Sequence, residues 1–146
     1  MKRLFLILLM LNLLFSCAHA ASIDYDLTFT DRELSGDWEG KNSVAIIGKG
    51  NSCTISGKGA SLSGNILPLS KEGVYVLSGE FTDLFIVVSA SKKDKVQIVL
   101  DGATITSANG PAIYAQAADK VFLTLAESKD NLIADGAEYT VADDGT

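Results

Sequence analysis

The chain has 146 residues, with 12 basic side chains against 18 acidic ones and a formal net charge of −6. That length predicts one domain. An acidic chain without grouped Lys and Arg is a poor nucleic-acid binder, because phosphate neutralisation needs clustered positive charge. The single histidine, His19, lies in a segment predicted to be removed, which excludes Ser-His-Asp and Cys-His catalytic pairs and histidine-ligated zinc from the mature chain.

The first twenty residues predict a secretory signal peptide. Lys2 and Arg3 precede an apolar run over 4–15, which is shorter than the ~20 apolar residues of a membrane-spanning helix. The small-residue ending "AHA" predicts cleavage after Ala20. We therefore expect an exported protein, extracellular or on the cell surface, whose mature domain is 21–146.

A second processing route competes with this one. The stretch "LFSC", which ends at Cys17, resembles a bacterial lipobox, although the bulky Phe15 fits that pattern imperfectly. Lipidation of Cys17 would hold the protein on a membrane surface, and it is the one membrane contact that the sequence predicts. Cys53 has no free cysteine to pair with on either route, so packing rather than a disulfide must hold the fold.

After residue 21 the sequence predicts short β-strands almost throughout. Apolar and β-branched runs alternate with Gly, Asn, Asp, Ser and Lys turns, and no amphipathic helix stands out. Residues 22–69 repeat less clearly and are expected to form turns between short, irregular strands. The clearest runs are 44–47, 53–56, 74–77, 84–88, 96–100, 104–106, 112–115 and 121–125, with a further strand near 132–134.

Two pairs of these runs repeat each other. The segments "DKVQIVL" and "DKVFLTL" place the alternating apolar residues of 96–100 again at 121–125, and the run 84–88 corresponds to 112–115. Stacking such strands in parallel, about 4.8 Å apart, would build one continuous inward apolar column. The interval of about 25 residues therefore predicts a solenoid. An antiparallel sandwich is the alternative, but it does not explain the fixed interval.

Four segments resemble bacterial exported proteins called carbohydrate-binding domain-containing proteins: "IDYDLTFTDRELSGDW", "GVYVLSGEFTD", "VQIVLDGATITSANGPAIY" and "DKVFLTLAESKDNLIADGAEY". The resemblance implies an all-β fold, a right-handed parallel β-helix similar in architecture to pectate lyases, and a polysaccharide binder that carries calcium. Family members continue through more coils. We therefore expect this chain to be the N-terminal part of a longer protein, and to self-associate through its exposed coil edge.

Sugar recognition uses aromatic faces against the pyranose ring and planar polar groups for its hydroxyls. Packing under a loop or a neighbouring coil is the alternative for each residue that offers these groups. The predicted carbohydrate-binding residues are Phe122, Tyr114, Phe85, Gln97 and Trp38.

Calcium takes about six to eight oxygen ligands, commonly from carboxylates and carbonyls at turns. No D-x-[DN]-x-[DN]-G loop occurs, and each turn residue with a suitable oxygen is also an ordinary turn former. The weak candidates for calcium ligands are Asp101, Asn109, Asn131 and Asp135.

The favoured function is non-catalytic binding of a polysaccharide of the plant cell-wall type, since no catalytic cluster is recognisable. Two alternatives stay open. One is a polysaccharide lyase or hydrolase, which would release product from its polymer. The other is a structural or adhesive surface repeat without sugar specificity.

Overall fold

The computed structural model describes residues 28–39 and 42–138. The predicted signal peptide and Cys17 lie outside these ranges. Within them, no helix is long and apolar enough to cross a membrane. One short helix, α1 (Asp31–Leu34), precedes the strands β1 (Ser43–Gly50), β2 (Ser52–Ser56), β3 (Ile66–Leu69), β4 (Gly73–Thr82), β5 (Phe85–Ser89), β6 (Lys95–Thr106), β7 (Ile113–Ala117), β8 (Lys120–Leu125) and β9 (Leu132–Ala134).

The strands form two sheets. The long sheet has the order β2-β1-β4-β6-β8, and β9 pairs with the second half of β6. The short sheet has the order β3-β5-β7 and is parallel throughout. Each strand alternates inward and outward side chains, so the inward Val, Ile and Leu residues of both sheets meet in one core.

The predicted repeat register is confirmed. In the pairing of β6 with β8, Val96 lies beside Val121, Ile98 beside Leu123, and Leu100 beside Leu125. The pairing is parallel, and the same relation holds between β5 and β7. The interval of about 25 residues is therefore the length of chain between one strand and the parallel strand that pairs with it.

The predicted right-handed parallel β-helix is wrong for this chain. A solenoid needs each strand to lie parallel to its counterpart, whereas β2 turns back and pairs antiparallel with β1. Gly50, at φ +70°, opens the two-residue turn between Lys49 and Ser52, and so short a turn joins antiparallel strands. Over the described ranges the fold is all-β, with one mixed sheet and one parallel sheet, and it contains no closed solenoid.

Two glycines let neighbouring long strands approach each other closely. A Cβ atom on Gly48 would lie 2.3 Å from the carbonyl oxygen of Glu80, and one on Gly79 would lie 2.6 Å from that of Gly48. Gly79 also has φ +81° and sits at a register shift between β4 and β6. A side chain at either position would clash with the neighbouring backbone, and at Gly79 the positive φ also favours glycine. The close spacing of β1 and β4 therefore depends on both residues.

Candidate functional site

The outer face of the short sheet carries a row of uncovered apolar side chains. Alternation along each strand turns Leu67 and Ile86 into the core and their neighbours outward. Parallel register brings the outward residues of the three strands side by side. We call this surface the sheet platform; it consists of Ile66, Pro68, Phe85, Val87 and Tyr114.

Phe85 and Tyr114 form an aromatic pair on the sheet platform. Their ring centroids lie 6.4 Å apart and the ring planes are tilted by 42°. Tyr114 is 38% exposed and Ile66 is 47% exposed, whereas Phe85 is half-buried. A Cβ atom on Gly110 would lie 3.5 Å from the edge of the Phe85 ring, so the turn before β7 packs beside that ring. The structure thus brings together two of the five predicted sugar-binding residues on an accessible surface.

Of the other three predicted sugar-binding residues, Gln97 and Phe122 lie on the outer face of the long sheet. Residues 28–39, which we call the N-terminal strap, lie against this face and include the third, Trp38. Glu33 of the strap pairs with Lys120, and the guanidinium carbon of Arg32 lies 4.9 Å from the centroid of the Phe122 ring. Further along, Gly36 lies beside Thr124. The strap therefore follows β8 from one end to the other and covers Phe122.

Trp38 ends the strap in a small apolar cluster. Its partly buried side chain packs with Val74, Val99 and Ala126 on the outer face of the long sheet. A groove of about 890 Å³ lies beside it. The charged residues that line this groove are Asp37, Glu39, Asp101, Glu127 and Lys129.

The strap covers Gln97, whose side chain makes its hydrogen bonds through the amide nitrogen. Its side-chain nitrogen donates to Thr124 Oγ1 at 2.9 Å and to the carbonyl oxygen of Asp37 at 3.5 Å. The residue is 3% exposed, yet its Oε1 atom has no hydrogen-bond partner within residues 28–39 and 42–138. A buried acceptor left unpaired costs about 1–3 kcal/mol, so this amide is a point of weakness beneath the strap.

The ion pair at the start of the strap shifts the pKa values of both of its partners. Hydrogen bonding to Lys120, together with the backbone and hydroxyl of Thr30, lowers the pKa of Glu33 from 4.5 to about 2. The same contact raises the pKa of Lys120. Both groups lie at the surface, where salt screens such pairs, so the pair orients the strap more than it stabilises the fold.

Three of the four predicted calcium ligands make side-chain contacts within the protein. Asn131 accepts a hydrogen bond from the backbone of Ala103 at 2.9 Å, and Asp135 accepts one from the backbone of Ala112 at 2.8 Å. Asp101 faces Lys129 at 3.7 Å. Over the ranges that the structure describes, no three His, Cys, Asp or Glu side chains gather as a metal site.

The backbone carbonyl of Asn109 accepts a hydrogen bond from Ser107 Oγ at 2.8 Å, within the same turn. The side chains of Asn131 and Asp135 thus accept backbone hydrogen bonds between neighbouring segments, and Asp101 pairs with a lysine. Calcium stays a prediction that rests on the resemblance.

Comparison with known proteins gives the chain a family. A family model described as "Carbohydrate-binding domain-containing protein" matches residues 63–146. The chain belongs to this family. A protein of the same description from Acetivibrio thermocellus is 36% identical over 85 residues, which make up 58% of this chain and 30% of that protein.

A solved structure is also similar to this carbohydrate-binding domain-containing protein. Its title is "Structure of the polysaccharide lyase-like protein from C. thermocellum, Gadolinium derivative", and it matches with a TM-score of 0.66 and 30% identity. The match covers 71% of this chain and 42% of that one. This chain thus spans less than half the length of either protein. Together the two comparisons support a carbohydrate-related role.

The matched region contains the sheet platform and the strands beneath the strap, but not the strap itself. Residues 63–146 include the whole sheet platform, together with Gln97 and Phe122, whereas the N-terminal strap with Trp38 precedes them. Sequence reasoning missed Ile66 and Pro68, because β3 lies in the stretch expected to be irregular. It also missed Val87, although the run 84–88 was predicted, because only aromatic and planar polar side chains were considered as sugar contacts. The alternation in "ILPL" was the available signal, but four residues that include a proline give little weight to a strand.

Proposed function

We propose that the protein binds a neutral polysaccharide without cleaving it, and that the sheet platform is the binding surface. The observation that carries the proposal is the accessible Phe85–Tyr114 pair on a parallel sheet, inside the region matched by the carbohydrate-binding family. An aromatic face gains free energy when the apolar side of a pyranose ring covers it, and the Tyr114 hydroxyl offers a polar contact at its tip.

The shape of the platform favours a chain over a single sugar. Adjacent strands lie about 4.8 Å apart, so three strands extend the surface over about 10 Å across the sheet. Ile66 and Phe85 share one row of the register, and Pro68, Val87 and Tyr114 share the next. A surface that extends over three strands can contact several units of an extended polymer.

Electrostatics favours a neutral polymer. The five platform residues carry no charge, and the chain has a formal net charge of −6. An acidic protein repels a polyuronate at a distance, and this repulsion weakens at high salt. We therefore propose that cellulose-like polymers bind more tightly than polygalacturonate at low ionic strength.

Catalysis is the second candidate, and one observation favours it: the similar structure is titled polysaccharide lyase-like. In its favour here are the charged residues of the groove beside Trp38, which include Asp37, Glu39 and Glu127. Paired carboxylates are the usual machinery of sugar hydrolysis. Release of soluble oligosaccharides from cellulose or pectin would establish this candidate.

The experiment is retention on insoluble cellulose. Wild-type protein should be retained without soluble product, and Phe85→Ala/Tyr114→Ala should pass through. Phe29→Ala is the matched control, because Phe29 is 59% exposed and lies outside the platform. Equal retention of the platform variant and wild type would refute the proposed surface. Attachment to cells without retention on any glycan would instead favour an adhesive role.

Export is part of the proposal and rests on residues 1–20. Mass spectrometry of the mature N-terminus distinguishes the two processing routes. A start at Ala21 favours the secretory signal peptide, whereas an acylated Cys17 that disappears in Cys17→Ser favours the lipoprotein.

A further inference from the structure

The face beneath the N-terminal strap combines the side chains of a sugar site. Phe122 supplies an aromatic ring, Thr124 a hydroxyl and Gln97 a planar amide. Gln97 is the register partner of Phe122 and donates a hydrogen bond to Thr124 Oγ1 at 2.9 Å, so the three groups are contiguous. Sugar sites pair aromatic faces with a small number of placed polar groups, which is the composition found here.

The side-chain oxygen of Gln97, beneath the strap, is available to accept a hydrogen bond from a ligand. Gln97 is 3% exposed, and its Oε1 atom accepts no hydrogen bond from the residues that the structure describes. Buried side-chain oxygens are satisfied in the large majority of cases, so an orphaned acceptor beside an aromatic ring calls for a donor that the strap does not provide. The hydroxyl of a sugar is such a donor.

The strap lies on the surface of the protein rather than within it. Each residue from 28 to 37 is exposed, α1 has no buried residue, and Trp38 is half-buried. Segments with so little buried surface open at a low free energy compared with the core. The strap also precedes the family-matched residues 63–146, whereas the face that it covers lies within them.

We propose that Gln97, Phe122 and Thr124 form a second carbohydrate-binding surface that is used when the strap lifts. Arg32 now occupies the face of the Phe122 ring on which a pyranose would stack, so strap and sugar compete for one position. The inference rests on the proposed function for its ligand class, a neutral polysaccharide. It differs in its residues, its sheet and its dependence on the strap.

Removing the competing guanidinium tests the proposal. The protein to prepare is Arg32→Ala, which frees the face of the Phe122 ring and leaves Gln97, Phe122 and Thr124 unchanged. Trp38 is the one tryptophan of the chain and sits at the end of the strap, so its fluorescence reports strap opening.

Titration with cellohexaose should red-shift the Trp38 emission, and Arg32→Ala should need about two- to fivefold less ligand than wild type, because a surface cation–π contact no longer competes. Adding Gln97→Ala to Arg32→Ala should weaken the apparent affinity about tenfold, because one polar contact is lost. Gln116→Ala, the same change on the short sheet, should have no effect on this signal. Equal affinities of Arg32→Ala and wild type, or no shift in either protein, would overturn the inference.

The two proposals fail separately. Phe85→Ala/Tyr114→Ala should abolish retention on cellulose, because the closed strap leaves the second face too weak to retain the protein, and it should leave the Trp38 response at high cellohexaose concentration in place. Gln97→Ala should weaken the Trp38 response and leave retention through the platform in place. A protein that is retained but shows no Trp38 response keeps the proposed function and loses this inference.

Discussion

The outer faces of the two sheets differ in what covers them. Both are built from outward residues of parallel strands, and each carries an aromatic side chain, Tyr114 on the short sheet and Phe122 on the long one. Tyr114 lies on an uncovered surface, whereas Phe122 lies under Arg32 of the strap. Strand alternation decides which way a side chain points, but a distant segment of the chain decides whether a ligand can reach it.

The largest expected effect comes from a core substitution that destabilises both sheets, and therefore both outer faces. Ile98 is 1% exposed in the core between the sheets, and Ile98→Ala should lower the free energy of unfolding by about 2–5 kcal/mol. Ile47→Ala, at a residue of the long sheet that is 47% exposed, should cost much less. Chemical denaturation measures both. Equal losses would mean that the core does not support the two faces as described.

Single substitutions on the sheet platform should weaken cellulose binding and leave the outer face of the long sheet unchanged. Phe85→Ala should weaken retention on cellulose by about 1–3 kcal/mol, in the range of a well-placed aromatic contact, with unfolding followed in parallel. Tyr114→Phe keeps the ring and should lose less than Tyr114→Ala, because only the hydroxyl contact goes. A Tyr114→Phe variant as weak as Tyr114→Ala would show that the hydroxyl, not the ring, carries binding.

The edge of the long sheet offers a third surface for comparison. Within the part of the chain that the structure describes, no strand lies beyond the residues of β8 that continue the core column, and Leu123 and Leu125 are 55% and 63% exposed. Apolar edge strands pair with other chains, so light scattering should detect self-association that rises with concentration. Leu123→Lys should reduce it, whereas Lys92→Leu on a turn should not. A wild-type protein that is monomeric at high concentration would contradict this prediction.

The smallest expected effect concerns how the strap is attached. The folded-state pKa of Glu33 is lowered to about 2, so the contribution of its ion pair is present above pH 4.5 and is lost as pH falls from about 4.5 to about 2. Trp38 fluorescence in native protein should change over that window and should be flat in Glu33→Gln. A transition centred near pH 4.5 in wild type would mean that Lys120 and Thr30 do not hold the carboxylate.

Sequence reasoning predicted local and repeated features well. The matched "DKV" segments correctly predicted the parallel register of β6 and β8. Both strands alternate apolar and other residues in the same order, so the same positions must face the core in each. The β-helix was wrong because the tight turn at Gly50 folds β2 back onto β1, and a repeat interval carries no information about the strands before it.

The strap could not have been predicted from any local pattern. Its contact from Glu33 to Lys120 joins residues 87 positions apart, and that from Asp37 to Gln97 joins residues 60 apart. Outward alternation correctly placed Phe122 and Gln97 on the outer face. Their burial follows from long-range packing, which leaves no periodic signal in the sequence.

The most direct test of the account maps a neutral oligosaccharide onto the backbone. Titrating cellohexaose into ¹⁵N-labelled protein should perturb amide resonances in β3, β5 and β7, with the largest changes near Phe85 and Tyr114. Saturable shifts on those three strands would support the sheet platform as the binding surface. Shifts that leave the three strands unchanged, whether elsewhere in the protein or nowhere, would contradict it.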